Sequence, residues 1–167
     1  MYKRQEIFRS IKNVLPESFI IGVRISPEIE RIGIALDDSI KLCSILTDEG
    51  IDFIHLSCWN AFKGSISYTN NSKTLTEWFA TSLNNPPPII STGKVWSHKD
   101  AQHLLNQGAD LIGVGRAAIG HPDWASQVKK LNYDPAKPPF TVSELREAML
   151  SDVFIDYMRN WEGFVCD

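Results

Sequence analysis

The chain has 167 residues, a formal net charge of −3 and an apolar fraction of 43%, which predict one packed domain. The near-neutral charge and the absence of a basic cluster argue against nucleic acid as the main partner. No apolar run is long enough to span a membrane. The three cysteines are an odd number without a Cys-x-x-Cys pair. This pattern predicts no metal site and favours a cytoplasmic location.

Helical and strand-like patterns alternate along the chain. In chain order they predict a helix over 5–15, a strand over 19–25, a helix over 38–48, a strand over 51–57, a helix over 73–83, a strand over 89–92, a helix over 98–107, a strand over 110–114, and helical segments over 116–120, 122–130 and 142–150. The strands are apolar runs rich in β-branched residues, which is typical of strands buried on both faces of a parallel sheet. Four strand–helix units in succession predict a parallel α/β sheet with right-handed crossovers.

Polar residues and a proline predict where several helices begin. Asp37 or Asp38 can cap the second helix, and Ser97 can cap the helix over 98–107. Pro122 stands at an expected first helical position. Thr141 and Glu144 have the spacing of a capping box.

The segment from Asn132 onwards differs from the strand–helix repeat. It contains an extended proline-rich stretch, one capped helix and an irregular aromatic end. We therefore predict a C-terminal extension over 132–167, packed on a domain formed by residues 1–131.

Two of the predicted strands end in glycine and predict an anion site. The strand over 89–92 runs into Gly93 and Lys94, and the strand over 110–114 runs into Gly115 and Arg116. Glycine lets an anion approach the backbone, a helix N-terminus offers unpaired N–H donors, and arginine can bind a phosphate with two hydrogen bonds. These features predict one phosphate held between neighbouring loops. Alternatively, the glycines serve only as turn residues and Arg116 forms a surface ion pair.

Four segments together resemble the old yellow enzyme family, whose members are FMN-dependent NAD(P)H oxidoreductases built on a TIM barrel. The segments are Gly22-Val23-Arg24-Ile25-Ser26-Pro27, Ile54-His55-Leu56-Ser57, the run from Gly108 to Ala117, and His121-Pro122-Asp123-Trp124. They occur in the family order, but they match only strands five to eight of the eight-stranded barrel. The resemblance therefore implies a half-barrel of about four strands, followed by a C-terminal helical extension.

The resemblance also implies roles for particular residues. Gly93, Gly115 and Arg116 match the FMN-phosphate site, which in TIM barrels commonly lies after strands seven and eight, and Lys94 belongs to the same loop. Arg24 matches an arginine beside the N1–C2 edge of the flavin, where it stabilises negative charge. The alternative for Arg24 is a structural ion pair.

The residues that complete catalysis in the family are not found in this chain. Its substrate-binding histidine pair and proton-donor tyrosine lie in the missing half, so the catalytic residues here are unknown. Cys58 and Trp59 follow a strand at the edge where TIM-barrel active sites form, and they contact either substrate or nicotinamide, or only pack the loop. His55 lies within a strand and is expected to be a hydrogen-bonded core residue.

The function implied by the resemblance is hydride transfer from NAD(P)H through FMN to an activated alkene or a similar small-molecule acceptor. An alternative is a non-catalytic module that binds phosphate or FMN, or a truncated product that lacks the redox half. A dihydrouridine synthase is disfavoured, because no basic RNA-binding extension is present. Four strands cannot close a barrel, so we expect either a homo-oligomer or a partner that supplies the N-terminal half.

Overall fold

The structure is a computed structural model that describes residues 2–167. Its helices and strands are α1 (Tyr2–Val14), β1 (Gly22–Ile25), α2 (Leu36–Asp48), β2 (Phe53–Ser57), α3 (Leu75–Ser82), β3 (Ile89–Thr92), α4 (His98–Asn106), β4 (Leu111–Gly113), α5 (Arg116–Gly120), α6 (Trp124–Gln127), β5 (Phe140–Thr141), α7 (Val142–Glu147), α8 (Asp152–Met158) and β6 (Val165–Cys166). No helix in this part of the chain has both the length and the apolar character needed to cross a membrane.

The strands β1 to β4 form one parallel sheet in sequence order. Each strand pairs with the next one along the chain, and helices alternate with the strands. The predicted parallel α/β architecture is therefore confirmed, and it is consistent with part of a TIM barrel. In the sheet, β1 and β4 are the edge strands.

Only one face of this sheet is covered by a hydrophobic core in the described residues. Ile54 and Leu56 of β2 are fully buried together with Leu36 of α2 and Phe79 of α3. The alternate positions are more accessible, and Arg24 of β1 is exposed. The prediction of strands buried on both faces is wrong, because side chains alternate along a strand and only one set of them meets the helices.

The first strand is shorter than predicted. It begins at Gly22 rather than at Phe19, and the side chains of Phe19 and Ile20 are 55% and 69% exposed. The Phe19 N–H donates to the Pro16 carbonyl, so this segment is a turn. Apolar β-branched composition alone therefore misplaced the start of the strand.

The predicted helix caps had mixed outcomes. Ser97 does cap α4, since its hydroxyl accepts the Asp100 N–H at 3.1 Å. Asp37 and Asp38 are not caps, because α2 begins at Leu36 and both carboxylates lie in its first turn, where the helix dipole favours negative charge. Pro122 is not the first residue of a helix, since α6 begins at Trp124 and spans only four residues.

The chain divides into two compact units, which are described separately. The first comprises the residues up to Gly93 together with Leu104–Gly113, and it contains the four-stranded sheet. The second comprises Lys94–His103 and Val114–Asp167. The predicted domain boundary at residue 131 stays a prediction.

The second unit has a small core of its own. Phe140, Leu145, Ile155, Met158 and Phe164 are buried there, and β5 and β6 pair in parallel. The predicted capping box at Thr141 and Glu144 is confirmed. The prediction of an irregular C-terminal end is wrong: it contains α8, capped by Ser151, and the strand β6.

Candidate functional site

The carboxyl end of the sheet presents a row of polar and small residues. Ser57 at the end of β2 pairs with Thr92 at the end of β3, which in turn pairs with Gly113 at the end of β4. Because the strands are parallel, the loops that follow them begin side by side at this edge. Such an edge is where ligands bind in parallel α/β folds.

Arg24 lies on the accessible face of the sheet near this edge. Its Nη2 atom donates a hydrogen bond to the Ser57 hydroxyl at 2.6 Å. A hydroxyl is neutral, so this bond orients the guanidinium without neutralising its charge. The arrangement can stabilise a developing negative charge on a bound molecule.

His55 and Thr92 form a second polar pair on the same face. The His55 Nε2 atom lies 2.8 Å from the Thr92 hydroxyl, so the predicted hydrogen-bonded histidine is confirmed, although it is half-buried rather than fully buried. Burial, and secondarily the charge of Arg24, lower the pKa of His55. A Cβ at Gly113 would lie 1.8 Å from the Thr92 hydroxyl, so this pairing requires glycine at position 113.

Gly93 allows the loop after β3 to pack closely against the loop after β2. Its φ of 147° is one that residues with a side chain rarely adopt, and a Cβ there would lie 2.5 Å from the Cys58 carbonyl oxygen. The Gly93 carbonyl accepts the Ala61 N–H at 3.2 Å. Glycine is therefore required at this position for the backbone to pass closely.

The other three residues of the predicted phosphate site belong to the second unit. Lys94 is exposed and has a positive φ of 58°. Gly115 directly precedes α5, and a Cβ there would meet no atom within 4 Å. Arg116 is half-buried and is the first residue of α5. The open space around Gly115 leaves the backbone approachable, as an anion would require.

Cys58 and Trp59 are brought together in a cleft of about 460 Å³ at the carboxyl ends of β1 and β2. The cleft is lined by Ser26–Ile29, Ser57–Asn60, Lys63, Gly64, Ile66 and Leu75. Its volume falls within the range of about 300–1,000 Å³ that small-molecule sites occupy. Both residues therefore stand in a ligand-sized space.

Two charged residues of this cleft, Glu28 and Lys63, were not predicted from the sequence. The Glu28 carboxylate accepts hydrogen bonds from the Ser65 hydroxyl and from the Ile66 N–H, each at 2.8 Å. A signal was present, because Glu28 follows Ser26-Pro27 at the end of a strand. Its partners lie 37 and 38 residues further along the chain, a distance over which sequence patterns say nothing.

Cys58 carries a free, half-buried thiol that lines this cleft. Burial, and secondarily the charge of Glu28, raise the pKa of Cys58 to about 12. The thiol is therefore protonated at neutral pH. Among residues 2–167, no cluster of three or more His, Cys, Asp or Glu side chains could hold a metal ion.

A sequence model of the NADH:flavin oxidoreductase / NADH oxidase family matches residues 4–134. The chain belongs to this family. The match spans β1 to β4 and continues past α6, so it includes every residue predicted for cofactor or substrate. The NADH:flavin oxidoreductase family binds FMN and uses NADH as reductant, which agrees with the cofactors predicted from the resemblance.

Three relatives illustrate the relationship. The chain is 37% identical over 116 residues to an NADH:fumarate oxidoreductase of Klebsiella pneumoniae, 34% identical over 113 residues to an NADH:acrylate oxidoreductase of Vibrio harveyi, and 26% identical over 114 residues to a probable NADH-dependent flavin oxidoreductase of Bacillus subtilis. The matched segments cover 67%, 65% and 68% of this chain but only 12%, 11% and 31% of those proteins. The matched part of the chain thus spans about a third or less of the length of each of these three relatives.

Proposed function

We propose that this chain is the FMN-phosphate-binding half of an oxidoreductase that resembles old yellow enzyme and is built on a TIM barrel. The observation that carries the proposal is the register of β3 and β4. Thr92 pairs with Gly113, so the two glycine-containing loops leave the sheet side by side. In the proposed barrel these loops would be those after strands seven and eight, the common phosphate site of TIM barrels.

Four residues would hold the phosphate of FMN: Gly93, Lys94, Gly115 and Arg116. Gly93 supports this assignment because it lets the backbone pass closely at the start of one loop. Gly115 supports it because no atom lies within 4 Å of where its Cβ would be. Arg116 would contribute two hydrogen bonds to the phosphate oxygens.

Arg24 would bind the N1–C2 edge of the flavin. Its orientation by the Ser57 hydroxyl supports this role, since the charge is held at the carboxyl end of the sheet. Bound FMN would supply the hydride chemistry, from NAD(P)H to the acceptor. The contribution of Arg24 is electrostatic stabilisation of the negative charge that develops at that edge.

The acceptor class follows from the relatives as a proposal for the full-length protein. Fumarate and acrylate, named for two relatives, are both alkenes conjugated to a carboxylate. We therefore propose an activated alkene of this kind as the small-molecule acceptor.

The odd number of cysteines favours a cytoplasmic location.

The proposed barrel would need further strands beside this four-stranded sheet. β1 and β4 are edge strands, and edge strands and open faces promote association. We propose that four further strand–helix units cover them, supplied by a longer chain, by a separate N-terminal half, or by a second copy in a homo-oligomer. Light scattering of this chain alone should show self-association or aggregation, whereas a stable soluble monomer would contradict the proposal.

FMN titration of the purified chain tests the cofactor assignment. Binding should perturb the flavin absorbance spectrum, and Arg116→Gln should weaken it by about tenfold or more, which corresponds to about 1.4 kcal/mol. Arg31→Gln is the matched control, because Arg31 is exposed on the short helix over Glu30–Ile32. Equal FMN affinities of the two variants would contradict a contact between Arg116 and the FMN phosphate.

A second candidate is a non-catalytic FMN-binding or phosphate-binding module. The small share of each relative that this chain matches favours it. Steady-state NADH oxidation separates the two candidates. Turnover by the FMN-loaded chain supports the oxidoreductase, and FMN binding without turnover supports the module.

A further inference from the structure

The cleft at the carboxyl ends of β1 and β2 is lined by three chemical groups that have no role in the proposed FMN site. Trp59 presents an indole that is 75% exposed, Glu28 presents a carboxylate, and Lys63 presents an ammonium group. All three belong to the first compact unit. Together they offer an aromatic surface, a hydrogen-bond acceptor and a positive charge within one ligand-sized space.

The Glu28 carboxylate is held in a fixed orientation. Each of its oxygens accepts one hydrogen bond, Oε2 from the Ser65 hydroxyl and Oε1 from the Ile66 N–H. A carboxylate oxygen can accept a second hydrogen bond, so both retain capacity toward a ligand. A preoriented carboxylate of this kind is suited to a pair of adjacent hydroxyl groups, as on a ribose.

The loop that carries Lys63 is anchored to neighbouring elements at several points. Gly64 forms an antiparallel bridge with Thr74, and the Tyr68 hydroxyl donates to the Asp37 carboxylate at 2.8 Å. The ring of Tyr68 also lies 4.9 Å from that of Trp78. These contacts give the cleft a fixed wall, so a ligand does not have to order the loop on binding.

We propose that this cleft binds the adenosine half of NADH, and that Glu28 selects NADH against NADPH. The adenine stacks on Trp59, the ribose hydroxyls donate to Glu28, and Lys63 pairs with the pyrophosphate. A phosphate at the ribose 2′ position places negative charge against the Glu28 carboxylate and is repelled; acidic residues discriminate against it in the same way in other dinucleotide sites. The inference rests on the proposed function, because it supplies the reductant site for the flavin.

Direct binding of two nucleotide fragments tests the proposal without a need for turnover. ADP-ribose and 2′-phospho-ADP-ribose are titrated into the full chain by calorimetry. We expect ADP-ribose to bind at least about tenfold more tightly, a difference of 1.4 kcal/mol. Equal binding of the two probes, or no binding of ADP-ribose, would overturn the proposal.

Two variants separate recognition from structural support. Glu28→Gln should bring the affinity ratio of the two probes close to one, and Trp59→Leu should weaken both probes by about tenfold. Glu30→Gln is the matched control, since Glu30 is exposed in the same loop but does not line the cleft. A Glu28 variant that weakens both probes equally would assign Glu28 only to loop structure and overturn its role in selection.

FMN titration of the same samples distinguishes the two proposals. FMN binding without ADP-ribose binding would refute only the nucleotide cleft. ADP-ribose binding without FMN binding would refute the flavin function and leave a nucleotide site. Glu28→Gln or Trp59→Leu could also lose FMN binding, and circular dichroism would then show whether the fold had been lost. In that case Ser65→Ala would test the role of Glu28, because it removes one of the two hydrogen bonds that orient the carboxylate.

Discussion

The two faces of the four-stranded sheet are built from alternate residues of the same strands, yet they differ in burial and in polarity. On the helix-covered face, Ile54 and Leu56 are fully buried among apolar side chains. On the open face, Arg24 and Ser57 are hydrogen bonded to each other, as are His55 and Thr92. The comparison shows that one face supplies stability, whereas the other retains charge and polarity at the edge where a ligand would bind.

The largest expected effect of a substitution lies on the covered face. Leu56→Ala should reduce the free energy of unfolding by about 2–5 kcal/mol, because it removes buried methyl groups and leaves a cavity. Leu111→Ala is the matched control, since Leu111 is 55% exposed and should change stability by no more than about 0.5 kcal/mol. Urea unfolding measures both, and similar losses would contradict the distinction between the faces.

Substitutions of two glycines at the carboxyl edge of the sheet test the backbone geometry there. Gly93→Ala should destabilise the protein by about 1–3 kcal/mol, because its Cβ would collide with the Cys58 carbonyl at a positive φ. Gly115→Ala should cost less, because its Cβ would meet no atom within 4 Å. Urea unfolding of the two variants measures the difference. The reverse order of stabilities would refute the local geometry described for Gly93.

A smaller effect on stability, but a clear one on binding, is expected at Ser57. Ser57→Ala should reduce the free energy of unfolding by about 1 kcal/mol at most, since the hydrogen bond to Arg24 is accessible to water. FMN affinity should fall, because the Arg24 guanidinium loses its orientation. Ser57→Thr retains the hydroxyl and should restore affinity. Unchanged FMN affinity in Ser57→Ala would separate Arg24 from the flavin site.

The smallest effect is a pH dependence on the open face. The pKa of His55 is lowered in the folded protein, mainly by burial, so the unfolded chain binds a proton more readily. Stability should therefore be unaffected by this group above about pH 6.5 and should fall as the pH drops below it. Urea unfolding from pH 8 to 5 measures the trend. His55→Gln should reduce this slope, and an unchanged slope would assign it to other groups.

These two faces also explain how much the sequence could predict. The four strands and the helix at 116–120 were predicted, because apolar runs, glycines and β-branched residues report local structure. The open face was not predicted. A run such as Gly22–Ile25 has the same composition whether one or both of its faces are covered, and coverage depends on residues far away in the sequence.

Some residues of the candidate site could be predicted from the sequence, whereas others could not. Cys58 and Trp59 could be placed at the carboxyl end of a strand from sequence alone. Glu28 was not recognised despite its position after a strand, because its partners Ser65 and Ile66 lie far along the chain and a long loop brings them against it. The capping of α2 was mispredicted for a different reason, since an aspartate suits both a cap and the first helical turn.

The central claim is that this chain contains the phosphate-binding half of an FMN site. Parallel titrations with FMN and riboflavin, followed by quenching of flavin fluorescence, test it most directly, because the two ligands differ only in the phosphate. We expect FMN to bind at least about tenfold more tightly than riboflavin, with the difference reduced in Arg116→Gln. Equal affinities for FMN and riboflavin, or no binding of either, would contradict it.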